Sequence, residues 1–184
     1  QQTSVRIFKK SCLNMLTVYG TDRFKSAYEK GLFRHDVLTG WAMQNAGHPV
    51  TADYLESCRF RPHDKVDEAL WGGKLDWYQD WIHATRRTDA YWQQGWWKLL
   101  ADVPGNTKVP VYIIDAWYDH HFGSAINTYA SLAPETKEHS WLDIGCWNHM
   151  SQPCIAWGEQ HNLENGDIHR MLEWFDLLLK QKKQ

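Results

Sequence analysis

Residues 109–117 read VPVYIIDAW, and this stretch decides the fold class. It is a continuous apolar run rich in β-branched residues, which is typical of a strand buried on both faces of a parallel sheet. Residues 122–132 follow with helical spacing, and residues 139–145 (HSWLDIG) predict a second strand. A strand, a helix and another strand in this order predict a right-handed crossover and a parallel sheet. We therefore expect an α/β fold.

The end of the chain predicts one more helix packed on this sheet. Asp167 is the predicted N-cap, and a single apolar stripe follows it. The stripe comprises Ile168, Met171, Leu172, Phe175, Leu178 and Leu179. Because two strands do not make a stable sheet by themselves, we expect the remaining strands to come from outside this chain or from a first half that is not wholly helical.

The first hundred residues have a different composition, which is rich in Trp, Tyr and charged residues. The chain contains 12 Trp, and most lie in this part or beside the motifs described below. Helical spacing predicts two short helices or one bent helix in residues 22–46, a helical turn with a Thr cap in 51–57, and further helices in 65–81 and 89–100. Pro104-Gly105-Asn106 predicts a turn. Residues 1–100 are therefore interpreted as a helical, Trp-rich region, and residues 101–184 as the sheet-forming region.

Composition excludes several classes of function. The formal net charge is −2, and charges of both signs are mixed along the chain. The sequence therefore has no basic cluster of the kind that binds nucleic acid or an anionic membrane. Apolar runs are only a few residues long, and no membrane span is predicted. The four Cys are scattered, without a C-x-x-C pair, which favours reduced thiols in a cytoplasmic protein.

Two titratable residues follow the two predicted strands. Asp119 comes just after the first strand and His149 just after the second. Because functional groups gather at the carboxyl ends of parallel strands, we expect the two side chains to meet. An acid and then a histidine is the order in which α/β-hydrolases supply the last two members of a Ser…Asp…His triad. The carboxylate would fix the imidazole tautomer, so that the ring can move the serine proton.

Four motifs carry a family resemblance. Residues 116–119 read AWYD after the strand, residues 144–149 read IGCWNH, residues 88–92 read TDAYW, and residues 173–180 read EWFDLLLK. In this order they resemble the cocaine-esterase-like (CocE/NonD) α/β-hydrolases and their X-Pro dipeptidyl-peptidase relatives. The likeness covers residues 77–181. Ala116 and Cys146 depart from the Gly and Pro that are usual in the family.

The resemblance implies a partial α/β-hydrolase, with its last parallel strands and helices in residues 101–184 and a helical cap in residues 1–100. It also implies that Asp119 and His149 are catalytic. The family's G-x-S-x-x-G nucleophile elbow is absent from this sequence. The resemblance places that elbow before Gln1 and a jelly-roll domain after Gln184, so the serine is expected outside this chain.

The sequence also offers candidates for a metal site and for a cysteine nucleophile, and neither is favoured. His120 and His121 are candidate ligands of a metal ion, but the side chains of adjacent residues are expected to diverge, and no third ligand follows at a suitable spacing. Neither a metal nor a cofactor is therefore predicted. Cys146 is disfavoured as a nucleophile because no neighbouring base is apparent. Trp117, Tyr118 and Trp92 are candidate residues of the substrate pocket.

Together these observations predict part of a serine hydrolase of the esterase or X-Pro dipeptidyl-peptidase type. The expected partners are a small ester or peptide substrate and an upstream hydrolase segment that carries the nucleophile. An open sheet edge also favours aggregation or pairing of the isolated chain, for example as a homo-oligomer. The alternative is a catalytically inactive module, derived from a hydrolase, that binds a ligand or partner.

Overall fold

The computed structural model describes residues 20–150 and 168–180. These residues divide into two compact units. The sheet unit contains residues 20–26, 100–150 and 168–180, and the helical unit is Ala27–Leu99. Within the described ranges, no helix combines the length and the apolar character that crossing a bilayer would require.

Helices and strands follow one another in a mixed order. The helices are α1 (Arg23–Ala27), α2 (His35–Gln44), α3 (Tyr54–Arg59), α4 (Val66–Leu70), α5 (Asp76–His83), α6 (Ala90–Gln93), α7 (Gly95–Asn106), α8 (Phe122–Ala130), α9 (Pro134–Lys137) and α10 (Ile168–Leu179), with a 3₁₀ turn at His63–Lys65. The strands are β1 (Tyr28–Glu29), β2 (Leu32–Phe33), β3 (Tyr112–Tyr118) and β4 (Trp141–Asn148).

Strands β3 and β4 pair in parallel, with Tyr112 opposite Trp141 at the start of the ladder. This confirms the predicted parallel sheet, although both strands begin two or three residues later than the sequence indicated. Pro110 has no N–H to give to a ladder, and the Val111 N–H donates to the Ser140 hydroxyl at 2.9 Å. At this end of the sheet a side chain therefore satisfies the Val111 N–H, while the Val111 carbonyl accepts the Trp141 N–H at 3.0 Å.

From Tyr112 to Ala116 both faces of β3 are covered, as the apolar run predicts, whereas Trp117 and Tyr118 at its end are exposed. On one face Val111 and Ile113 pack with Ala125 of α8. On the other face the Tyr112 ring stacks on Trp174 of α10, with ring centroids 5.6 Å apart. The two helices therefore cover opposite faces of the same strand.

Helix α10 occupies the predicted position, but its stripe is narrower than expected. Trp174 and Leu178 are its buried residues, whereas Leu172 and Leu179 are exposed. The Trp174 indole N–H donates to the His139 carbonyl at 3.0 Å, so a residue left out of the predicted stripe is the one that anchors the helix. The predicted cap, Asp167, lies outside the described residues.

The helical unit has its own aromatic core. Trp71 and Tyr78 are fully buried there with Ala42, Val66 and Leu75. Buried Asp67 holds this core together by accepting hydrogen bonds from the Leu75 N–H at 2.8 Å and from the Gln79 side-chain amide at 2.9 Å. The unit therefore does not depend on apolar packing alone, because a satisfied buried carboxylate fixes the start of α5.

Glycines break the helices that the sequence predicted as longer segments. Between α1 and α2 the chain forms a β1–β2 hairpin, whose loop residues Lys30 and Gly31 have φ of 50° and 84°. Positive φ at both loop positions is the geometry of a tight hairpin turn, which glycine favours. Residues 65–81 likewise divide into two helices, at Gly72 and Gly73.

Two predicted boundaries are wrong for identifiable reasons. The helix near residue 54 is capped by Asp53, which accepts from the Glu56 N–H at 2.9 Å, rather than by Thr51. The predicted turn at residues 104–106 is the last turn of α7, which contains Pro104. Proline's fixed φ suits a helix and costs it one hydrogen bond, while the Asn106 side chain donates to the Asp102 carbonyl at 2.9 Å.

His63 gives the helical unit a predicted sensitivity to acid. Its Nε2 lies 3.1 Å from the Thr39 hydroxyl, and its ring centroid is 4.0 Å from that of His35. Burial, followed by repulsion from His35 and Arg61, lowers the pKa of His63 to about 4. The unfolded chain takes up a proton at His63 more readily than the folded chain does. The stability is therefore fully present above the ordinary histidine pKa and falls as pH decreases from about 6.5 to about 4.

We expect this loss to be about 1–2 kcal/mol, after allowance for solvent screening. The measurement is urea unfolding at about pH 7.5 and about pH 4.5, for the wild type and His63→Gln. The exposed His48→Gln variant is the control. If His63→Gln loses as much stability on acidification as the wild type does, the effect has another origin.

Candidate active site

Asp119 and His149 are brought together by the ends of two paired strands. β3 ends at Tyr118 and β4 at Asn148, and these two residues lie opposite each other. Each candidate residue is therefore the next one along the chain from the same rung. His149 Nδ1 lies 2.9 Å from Asp119 Oδ2. The expected meeting of these two side chains is thus present in the structure.

A β-bulge determines which way His149 points. Ala116 lies opposite Gly145, but Tyr118 lies opposite Asn148, so β4 carries one extra residue in this interval. Because side chains alternate between the faces of a strand, the extra residue reverses the face of Asn148, which ends β4. His149 follows directly after this residue. The sequence pattern gave no sign of this irregularity.

Gly145 is required by the side chain that fills the bulge. A Cβ built at Gly145 would fall within the ring of Trp147, and Trp147 is buried. We expect Gly145→Ala to lower the free energy of unfolding by about 1–3 kcal/mol through overpacking. We also expect it to displace His149, which the bulge orients, and so to shift the imidazole NMR resonances of that residue.

Gly105→Ala is the matched control, because a Cβ there would meet only the Ser131 carbonyl at 3.9 Å, an ordinary contact. Urea unfolding and histidine side-chain NMR should separate the two variants. Unchanged His149 resonances and unchanged stability in Gly145→Ala would contradict the role given to the bulge.

The Asp119 carboxylate is held from two sides. Its Oδ1 accepts the His121 backbone N–H at 2.8 Å, and its Oδ2 faces His149. The Asp119 N–H donates to the Ala116 carbonyl at 3.1 Å, which fixes the turn that follows β3. A carboxylate held in this way stabilises a proton on His149 Nδ1, and Nε2 is then the basic nitrogen of the ring.

Asp115 is a second buried carboxyl group. It lies within the apolar strand β3, and the sequence pattern did not mark it as a site residue. Its Oδ1 accepts the Ala116 N–H at 2.7 Å, and no described residue bonds its Oδ2. Burial, with a smaller contribution from the charge of Asp119, raises the pKa of Asp115 to about 7. The signal available in the sequence was a single acidic residue in an otherwise apolar run.

His120 and His121 converge on the same place, contrary to the expectation that they diverge. Their ring centroids lie 3.9 Å apart, and the His120 ring is 4.6 Å from that of His149. The backbone has left the strand here, since the Phe122 N–H donates to the Asp119 carbonyl at 3.2 Å. In such a helical turn consecutive side chains are about 100° apart rather than opposed, and both rings can face one side.

The predicted pocket residues lie in different surroundings. Trp117 and Tyr118 are 60% and 55% exposed, at the end of β3 beside Asp119. Trp92 belongs to the helical unit, where it is buried and donates its indole N–H to the Ala84 carbonyl at 2.7 Å. This placement makes Trp92 a core residue of that unit, and its role in a pocket stays a prediction.

Part of the chain matches the model of a known protein family. The family model described as X-Pro dipeptidyl-peptidase (S15 family) matches residues 14–151, a range that includes β3, β4, Asp119 and His149. No curated protein matches the chain. The match agrees with a hydrolase of the peptidase type, whereas the closer relationship to the CocE/NonD enzymes stays a prediction.

Proposed function

This chain belongs to the X-Pro dipeptidyl-peptidase family (S15), and we propose that Asp119 and His149 are the acid and the base of its catalytic triad. The observation that carries the proposal is the 2.9 Å contact between His149 Nδ1 and Asp119 Oδ2. It joins the two residues that the sequence places after consecutive strands. The substrate is an ester or an amide, including a peptide with proline in its second position.

The contact has a direct chemical use. With its Nδ1 proton held by Asp119, His149 accepts the proton of a serine hydroxyl at Nε2 as the serine oxygen forms a bond to the substrate carbonyl carbon. The same proton then passes to the leaving amine or alcohol as the carbon–nitrogen or carbon–oxygen bond breaks. Water repeats the cycle on the acyl-enzyme and restores the serine.

The nucleophile in this proposal is a serine outside these 184 residues. No serine of the sequence stands in a G-x-S-x-x-G motif, the pattern that the CocE/NonD resemblance leads us to expect. An upstream hydrolase segment is therefore the partner that completes the site, and a cytoplasmic location is part of the same proposal. Exposed Trp117 and Tyr118 are the proposed contacts for the substrate.

The test is fluorophosphonate labelling of the full-length protein, read by intact mass and peptide mapping. We expect one label on a serine outside residues 1–184. The label should be lost in His149→Ala and kept in His139→Ala, the replacement of an exposed histidine of the sheet unit. Hydrolysis of an X-Pro p-nitroanilide and of a p-nitrophenyl ester then separates peptidase from esterase. A full-length protein that takes no label would overturn the proposal and favour the inactive binding module.

A further inference from the structure

We propose that Asp119, His120, His121 and His149 form a binding site for one divalent transition-metal ion, Zn²⁺ by preference. Each residue offers one ligand atom, and these atoms all lie within 4.8 Å of one another. Neither the family membership nor the proposed triad calls for a metal. The ion is therefore proposed to bind, in addition to the substrate, at the same place in the sheet unit.

The spacing is close to that of a formed zinc site. Zinc bonds to imidazole nitrogen and carboxylate oxygen are about 2.0–2.2 Å long, and a tetrahedral arrangement then sets the ligand atoms roughly 3.3–3.5 Å apart. The largest separation in the cluster exceeds this by somewhat more than an ångström. Small rotations of imidazole rings about their side-chain bonds are sufficient to close that gap.

The donor set determines which metal is favoured. Three imidazoles and one carboxylate suit zinc, whereas magnesium and calcium prefer oxygen ligands. With neutral imidazoles the set has one negative charge, contributed by Asp119, which favours a cation over an anion. The side chains of Asp119 and His120 are 3% and 10% exposed, so the electrostatic attraction is only weakly screened by water.

The cluster is also partly held in place without the metal. Asp119 Oδ1 accepts the His121 backbone N–H at 2.8 Å, and His121 Nδ1 lies 2.7 Å from the Ser26 hydroxyl. Such surrounding bonds orient metal ligands and reduce the cost of ordering them. The His149 side chain is 31% exposed, which gives an ion a route from solvent.

Metal binding has a consequence for catalysis that rests on the proposed function. An ion bound to His149 and Asp119 occupies electron pairs with which the ring would accept the serine proton and the carboxylate would hold the proton of the ring. The hydrolase is then inhibited reversibly, and removal of the ion by EDTA restores activity. Binding itself does not depend on the triad, so it can be tested in the absence of any activity.

The test is calorimetric titration of the purified protein with Zn²⁺, together with the visible spectrum of the Co²⁺-loaded protein. We expect one ion per chain and the absorption of tetrahedral Co²⁺. His120→Gln and His121→Gln should each weaken binding by at least about 100-fold. The matched control is His139→Gln, which replaces an exposed histidine of the same unit and should leave the affinity unchanged.

A second measurement avoids substitutions that impair folding. In the wild type, Zn²⁺ should protect His149, whose side chain is 31% exposed, from diethyl pyrocarbonate, as mapped on peptides, and leave the reactivity of His139 unchanged. The proposal is overturned if there is no saturable binding, if His120→Gln binds as tightly as the wild type, or if His149 stays reactive in the presence of Zn²⁺. Zn²⁺ protection in a protein that takes no fluorophosphonate label would support the metal site while overturning the proposed function.

Discussion

Asp119→Asn is expected to lower kcat of the proposed hydrolase by about 10⁴-fold. Asparagine has nearly the same shape and can still accept the His121 N–H, which donates to Asp119 Oδ1 at 2.8 Å. It cannot stabilise an imidazolium at His149, and its amide favours the wrong tautomer of the ring. The loss should therefore appear in kcat, with KM nearly unchanged, because substrate binding is not what the carboxylate supplies.

The measurement is steady-state hydrolysis of an X-Pro p-nitroanilide by the full-length protein, with circular dichroism to compare the folds. Asp176→Asn is the matched control, since it removes an exposed carboxylate of α10 that pairs with Lys180. A fall of less than about tenfold in Asp119→Asn, or an equal fall in Asp176→Asn, would remove Asp119 from the proposed triad.

Trp71→Ala is expected to lower the free energy of unfolding by about 4 kcal/mol, the largest stability effect anticipated in this protein. Trp71 is fully buried in the core of the helical unit. Its ring centroid is 5.2 Å from that of Tyr78, and its indole N–H donates to the buried Ser57 hydroxyl at 3.0 Å. Truncation leaves a large cavity and also removes the partner of a buried hydroxyl.

Urea unfolding monitored by fluorescence and circular dichroism measures this loss. Trp96→Ala, the truncation of an exposed tryptophan in the same unit, is expected to change stability by less than about 0.5 kcal/mol. Trp71→Phe keeps part of the ring volume but lacks the N–H that bonds Ser57, so its loss of stability should be smaller than that of Trp71→Ala. Equal stabilities for Trp71→Ala and Trp96→Ala would contradict the central place given to Trp71.

The parts of the fold that the sequence predicted depend on long apolar patterns. The run at residues 109–117 is apolar at nearly every position, and only a strand covered on both faces needs that pattern. Parallel pairing then places the residues that follow β3 and β4 at one edge, so the approach of Asp119 and His149 followed from two strand ends. This inference did not need the exact strand boundaries, which were wrong by two or three residues.

The parts that the sequence did not predict depend on local backbone geometry. Lys30-Gly31 turns a hairpin only because both residues adopt positive φ, and helical spacing on either side conceals it. Pro104 lies inside a helix because tertiary context overrides its propensity. The convergence of His120 and His121 needed the knowledge that the chain turns helically at Asp119, which composition and spacing do not contain.

The division of the chain into two units has a consequence for recombination between genes. The helical unit is one continuous stretch, Ala27–Leu99, bounded on both sides by stretches of the sheet unit. A gene that exchanges this stretch through two crossovers replaces the whole helical unit and keeps Asp119, His149 and the Ser26 that contacts His121. Because both boundaries fall inside helices, α1 and α7, such an exchange preserves the fold only where the incoming stretch continues these two helices.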